Sequence, residues 1–120
     1  MFFGRRGTSL VASATPGSAL GTVAHPHPAP PTAAVTSEPV QIRHWNATGA
    51  VSYAWARLSG DAAINVQVQS TVADRQTVNF HSPSVPLNAT QSAVFRCTVT
   101  DANTSVVVDV PVELSYFTRT

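Results

Sequence analysis

The sequence predicts an all-β fold: a single antiparallel β-sandwich of six or seven short strands, preceded by an extended N-terminal arm. Three observations predict it. From Glu38 onward apolar and polar residues alternate with a period of two. Turn-forming residues interrupt the alternation at spacings of roughly 8–12 residues. No window carries apolar residues at helical spacing long enough for a helix. With 120 residues, the chain has room for one core and no second of useful size.

Residues 1–37 are expected to form the arm and residues 38–120 the sandwich. The arm consists largely of Ala, Gly, Ser, Thr and Pro, with Arg5 and Arg6 as its only charges. Its middle, His25-Pro26-His27-Pro28-Ala29-Pro30-Pro31, excludes helix, because each proline removes a donor and drives the preceding residue to extended geometry. Polyproline II is the natural conformation there, and the stretched arm would reach on the order of 100 Å. It reads either as a disordered tail or as a strap ordered across neighbouring subunits. The second reading assigns partner contacts to Phe2, Phe3, Arg5, Arg6, Leu10, Pro26 and Pro28.

A weak strand is expected over 32–36, then one over 40–45 with Val40, Ile42 and His44 on one face. Val51, Tyr53 and Trp55 alternate with Ser52 and Ala54 in the next, which Ser59-Gly60-Asp61 turns. Ile64, Val66 and Val68 alternate with Asn65 and Gln67. Residues 76–80 send Val78 and Phe80 inward, and Ser82-Pro83 is expected to stop that strand. The best-supported element is a hairpin. Phe95, Cys97 and Val99 face inward along 93–100. Asp101-Ala102-Asn103-Thr104 turns the chain by its Asp and Asn chemistry. Val106, Val108, Val110, Val112, Leu114 and Tyr116 then share the buried face of 105–117. Pro111 cannot donate to a ladder, so this strand should be an edge there or carry a bulge. The core is expected to gather Tyr53, Trp55, Phe80, Phe95 and Cys97, with Trp55 at its centre.

The run Tyr53-x-Trp55-x-x-Leu58-Ser59-Gly60-Asp61, then Val78-x-Phe80, then Phe95-x-Cys97-x-Val99-Thr100-Asp101, resembles immunoglobulin-like and PKD-like modules of bacterial surface and phage virion proteins. The segment Ser92-Ala93-Val94-Phe95-Arg96-Cys97 also resembles the F strand of immunoglobulin domains. The likeness spans about Val40 to Leu114 and implies fold far more than function. The partner of the immunoglobulin disulfide is missing, and the resemblance puts Ile42 or His44 near its place. Phe95 stands where a tyrosine corner would offer a hydroxyl.

Catalysis needs a nucleophile, a base and an orienting group together, and the sequence presents no such constellation. The chain is therefore expected not to be an enzyme and to need no cofactor. His25-x-His27 could chelate a metal only weakly, for want of carboxylate or thiol company. Cys97, on the inward face of a core strand, reads as a small hydrophobe rather than a reactive thiol. Asp61, Asp74 and Asp101 sit in expected turns and are too scattered in sequence for a calcium loop. The sequons at Asn46, Asn88 and Asn103 arise easily in a chain so rich in Ser and Thr, and carry weight only in a secreted eukaryotic protein.

Charged residues make up 11% of the chain, against a typical ~25%. All seven basic residues are arginines, six carboxylates oppose them, and the net charge is +1. That balance argues against nucleic acid as partner, and no apolar run approaches the ~18–20 residues of a membrane helix. A lone cysteine, an uncharged surface, a Met1 start without a convincing signal segment and a wrapping arm point together to a phage virion protein. The expected role is a capsid decoration, cement or head-fibre-like protein, assembled in the host cytoplasm and multimeric in the particle. Its partners would be the major capsid protein or other virion proteins. A tail component is the nearest alternative. A carbohydrate-binding or adhesion module of a bacterial surface protein is another, with Trp45 and Phe117 as outward aromatics and weak host-glycan binding as its mark.

Overall fold

Apolar alternation from Leu10 to the end of the chain drives two sheets to close on each other. The computed structural model describes residues 9–68 and 76–119; Phe2, Phe3, Arg5, Arg6 and Asp74 lie outside the described residues, as does the side chain of Val68. The described residues form an all-β sandwich without a helix. The strands are β1 (Val11–Thr15), β2 (Ala19–Pro26), β3 (Thr32–Thr36), β4 (Val40–Trp45), β5 (Ser52–Gly60), β6 (Asn65–Val68), β7 (Thr77–Pro86), β8 (Ala89–Thr100) and β9 (Ser105–Arg119).

One sheet runs β2-β9-β8-β5 and the other β1-β4-β7-β3, with β6 also on β7. Val78 pairs with Val40 on one side and Val68 on the other, so β4 and β6 flank opposite edges of β7. Strands β3 and β4 follow each other along β7, and Ser37 bridges the gap between them. Its N–H donates to the Phe80 carbonyl at 2.8 Å, and its hydroxyl accepts the Phe80 N–H at 2.9 Å. A side chain thus replaces a missing ladder group, which a buried backbone donor requires.

The leader is extended, but residues 11–36 are laid into the sandwich as three of its strands. Strand β1 pairs antiparallel with β4 from Val11↔Trp45 to Thr15↔Gln41. Strand β2 pairs parallel with β9 from Ala19↔Val112 to Pro26↔Arg119, the one parallel pair among the described strands. Residues 16–18 therefore carry the chain from one sheet to the other. The described strands number nine rather than six or seven. The inward face of β2 is Ala19, Gly21 and Val23, small residues that let the strand sit close to its neighbours. A Cβ on Gly21 would lie 2.7 Å from the Thr36 carbonyl oxygen and 2.9 Å from Leu114 Cδ2.

Two further expectations are corrected. Strand β7 does not stop at Ser82-Pro83 but continues to Pro86. The pairing with β3 jumps from Ala33↔Val85 to Val35↔Ser82, so Pro83 and Ser84 together oppose Ala34. A bulge of this kind leaves a residue out of the ladder and so tolerates a proline inside a strand. Trp55 is only partly buried, because β5 is the terminal strand of its sheet. The centre belongs to Phe80, Phe95 and Tyr116: the Phe80 and Phe95 rings stand 4.8 Å apart between centroids, and Trp55 meets Phe80 edge-on at 5.5 Å. Pro111 stands one residue before the β2 pairing begins at Val112, so β9 is an edge on that side at the proline.

Candidate functional site

The core divides into two neighbouring clusters, with Trp55 packed against both. The smaller holds Leu10, Ile42, Tyr53, Cys97 and Val99. Leu10, expected in the strap, is 4% exposed and belongs to this core. Pro26 closes β2 and Pro28 follows it; both are exposed. Tyr53, Phe80, Phe95 and Cys97 are buried. Burial pushes the Cys97 thiol up to about 12, opposed by a hydrogen bond from the Ala54 backbone. A thiol so held is neither nucleophile nor ligand at neutral pH.

The histidines are dispersed into structural contacts. His25 stands edge-on to Tyr116 with ring centroids 5.7 Å apart, and His27 lies beyond the end of β2. His44 Nδ1 and the Tyr53 hydroxyl share a 2.9 Å hydrogen bond. His81 Nδ1 and the Thr36 hydroxyl share one of 2.8 Å across β3 and β7. Among the described residues no group of three or more His, Cys, Asp or Glu side chains is placed to hold a metal ion. No helix of the described residues is long and apolar enough to cross a membrane.

Two places on the surface gather polar chemistry. At one end of the sandwich, Asp101 accepts backbone N–H groups from Thr48 at 2.9 Å, and from Asn103 and Thr104 at 2.8 Å. These bonds, with Thr48 first, hold its carboxyl below the ordinary carboxylate range. The carboxylate thereby clips the β4–β5 loop to the β8–β9 turn. Ser9, Leu10, Thr48, Asp101, Asn103, Thr104 and Val106 line a depression of about 310 Å³ at this end, so the leader enters the fold here.

The second place is the outer face of β4, where alternation exposes Gln41, Arg43 and Trp45 in a row. Trp45 is 47% exposed and pairs with the exposed Val11 of β1. Gln41, Arg43, His44 and Gln76 line an open depression of about 340 Å³ beside it. Sequence reasoning singled out Trp45 but missed Arg43, Gln41 and Gln76. Period-two spacing places the first two beside Trp45, whereas Gln76 joins them only through the β4–β7 pairing.

No protein-family model matches the chain, and no curated protein is similar to it.

Proposed function

We propose that this chain is a structural protein of a phage particle, a capsid decoration protein whose sandwich stands on the shell and whose first residues fasten it. One observation carries the reading. The leader enters at a single pole of the sandwich, through buried Leu10 beside the Asp101-clipped loops. From there it is stitched into both sheets as β1 and β2. Pull on the preceding residues is thus borne by both layers of the core. Those residues include Phe2, Phe3, Arg5 and Arg6, two apolar anchors and two bidentate cations suited to a groove on the major capsid protein.

The strand order supports the resemblance to immunoglobulin-like modules. Strands β5, β8 and β9 are neighbours in one sheet and β4 pairs with β7 in the other, as C-F-G and B-E do in immunoglobulin domains. The test is cosedimentation of the purified chain with phage shells that lack it. The full chain should co-pellet, and a variant lacking residues 1–8 should fold but stay in the supernatant. Full retention of the truncated chain would move the contact onto the sandwich, and failure of both to pellet would sink the reading. A tail location differs only in which particle part captures the chain.

The row Gln41-Arg43-Trp45 favours a second reading, glycan binding. An exposed indole offers a stacking face for a sugar, and the amide and guanidinium offer hydrogen bonds. A glycan-array signal that Trp45→Ala abolishes would place this reading first.

A further inference from the structure

The outer face of the β2-β9-β8-β5 sheet carries a pattern unlike that of an ordinary solvent face. Beside Thr98 and Glu113 it presents Ala54, Ala56, Val94, Val107 and Pro111 where charged residues usually alternate outward. Val107 is 52% exposed, and none of the described elements covers this face. In its midst Arg96 and Asp109 sit directly opposite each other on β8 and β9. Arg96 Nε donates to Asp109 Oδ1 at 2.8 Å, and Nη2 donates to Oδ2 at 3.1 Å. The guanidinium has five N–H donors, so three remain with no acceptor among the described residues, and each carboxylate oxygen keeps a free lone pair. The two side chains are 39% and 43% exposed.

We propose that this face is a docking surface for a second copy of the chain, packed sheet on sheet about a two-fold axis that lies between the two sheets, parallel to the strands and level with the middle of the Arg96–Asp109 pair. An adjacent cation and anion are self-complementary under a two-fold: the axis sets Arg96 of one copy over Asp109 of the other, twice. A partner surface of one sign would instead oppose one member of the pair. The same operation exchanges β8 with β9 and keeps position along the strands, so Val94 of one copy falls on Pro111 of the other, and Val107 on Thr98. Glu113 lies four residues from Asp109 along β9, about 13 Å away, so the two Glu113 side chains flank the axis at one end of the contact, clear of the Arg96–Asp109 pairs. Sheets packed in this way keep their strands nearly aligned, at a spacing of about 10 Å. This inference does not depend on the virion reading.

Sedimentation of the full chain tests it, with two charge reversals. Arg96→Asp gives a face with two anions, and Asp109→Arg gives one with two cations. The unaltered chain should form a dimer that dissociates on dilution. Each variant alone should be monomeric, its dimer weakened at least ~100-fold by like charges, with an unchanged far-UV spectrum. Mixing the two variants in equal amounts should restore a dimer of one copy of each. A parent chain that stays monomeric to about 0.5 mM, where even weak interfaces assemble, overturns the proposal. So does a dimer that both reversals leave intact, or a mixture in which the variants ignore each other.

Discussion

The hydroxyl of Tyr116 donates a 2.7 Å hydrogen bond to the carbonyl oxygen of Pro30. It ties the buried face of the last strand to the proline-rich connection between β2 and β3. Tyr116 is fully buried, and Pro30 has no N–H to offer, so this connection is held by its carbonyl and by that of Pro31, which accepts the Leu87 N–H at 3.0 Å. Tyr116→Phe keeps the ring and removes the donor. The expected cost is about 1 kcal/mol, a loss of several degrees in melting temperature for a domain of this size. A melting temperature within one degree of the parent would show that the bond holds nothing.

Close approach of β2 to its surroundings gives a second prediction. A methyl group on Gly21 would press on the Thr36 carbonyl, a backbone atom that cannot rotate away, and on Leu114. Gly21→Ala should therefore destabilise by roughly 1–3 kcal/mol, the usual cost of overpacking. Gly17→Ala, with open space around it, should fall within about 0.5 kcal/mol of the parent. Urea titration of the two variants checks the contrast.

The same segment shows where the sequence was legible. The β8–β9 hairpin could be read to its turn residues, because large side chains alternate on it: Phe95, Cys97 and Val99 against Val110, Val108 and Val106. The buried face of β2 is Ala19, Gly21 and Val23, and its signal is small size rather than hydrophobicity, which a search for apolar alternation passes over. The prolines from Pro26 to Pro31 add to the look of a free strap. The continuation of β7 past Pro83 was hidden for a related reason, since it depends on a bulge that only the pairing with β3 creates. At the candidate site, Trp45 was visible as an outward aromatic, while the contribution of Gln76 depends on a strand pairing of long range.

Truncation should separate the fastening residues from the fold. Removal of residues 1–8 stops short of Leu10 and should leave the melting temperature nearly unchanged. Removal of residues 1–31 deletes Leu10 and the inward face of β2, and it strips β9 of its parallel neighbour. That chain should be unfolded or aggregated, as judged by circular dichroism and gel filtration. A folded 32–120 fragment with the parent's melting temperature would contradict the placement of the leader in the core.

Asp101 links the same pole to acid sensitivity. Backbone N–H groups, Thr48 first, then Asn103 and Thr104, stabilise the charged carboxylate and lower its pKa in the folded chain. The unfolded chain then binds a proton more readily, so this contribution is present above the ordinary aspartate pKa near 4 and is lost as pH falls through the lower folded value. Asp101→Asn, which cannot carry the charge, should lower the melting temperature at pH 7 and flatten its decline below about pH 4. Equal pH profiles for variant and parent would remove Asp101 from the acid response.

Cys97 should govern the opposite limb. Its side chain is fully buried in the cluster with Leu10, Ile42, Tyr53 and Val99, and burial raises the thiol from 9.0 to about 12. Between those values the unfolded chain has released the proton and the folded chain retains it. Folding is then the proton-binding direction, so the thiol's contribution is intact below pH 9 and declines as pH rises toward the folded pKa. The slope from this one proton approaches about 1.4 kcal/mol per pH unit. Cys97→Val removes the proton while nearly conserving volume, so urea midpoints of parent and variant should run close together at pH 7 and diverge above pH 9, the parent falling faster. A thiol reagent at pH 8 supplies an independent reading: the folded chain should stay unlabelled while denatured chain reacts once. Rapid labelling of folded protein would mean that solvent reaches Cys97, and the packing of Leu10 over this end of the sandwich would then have to be abandoned.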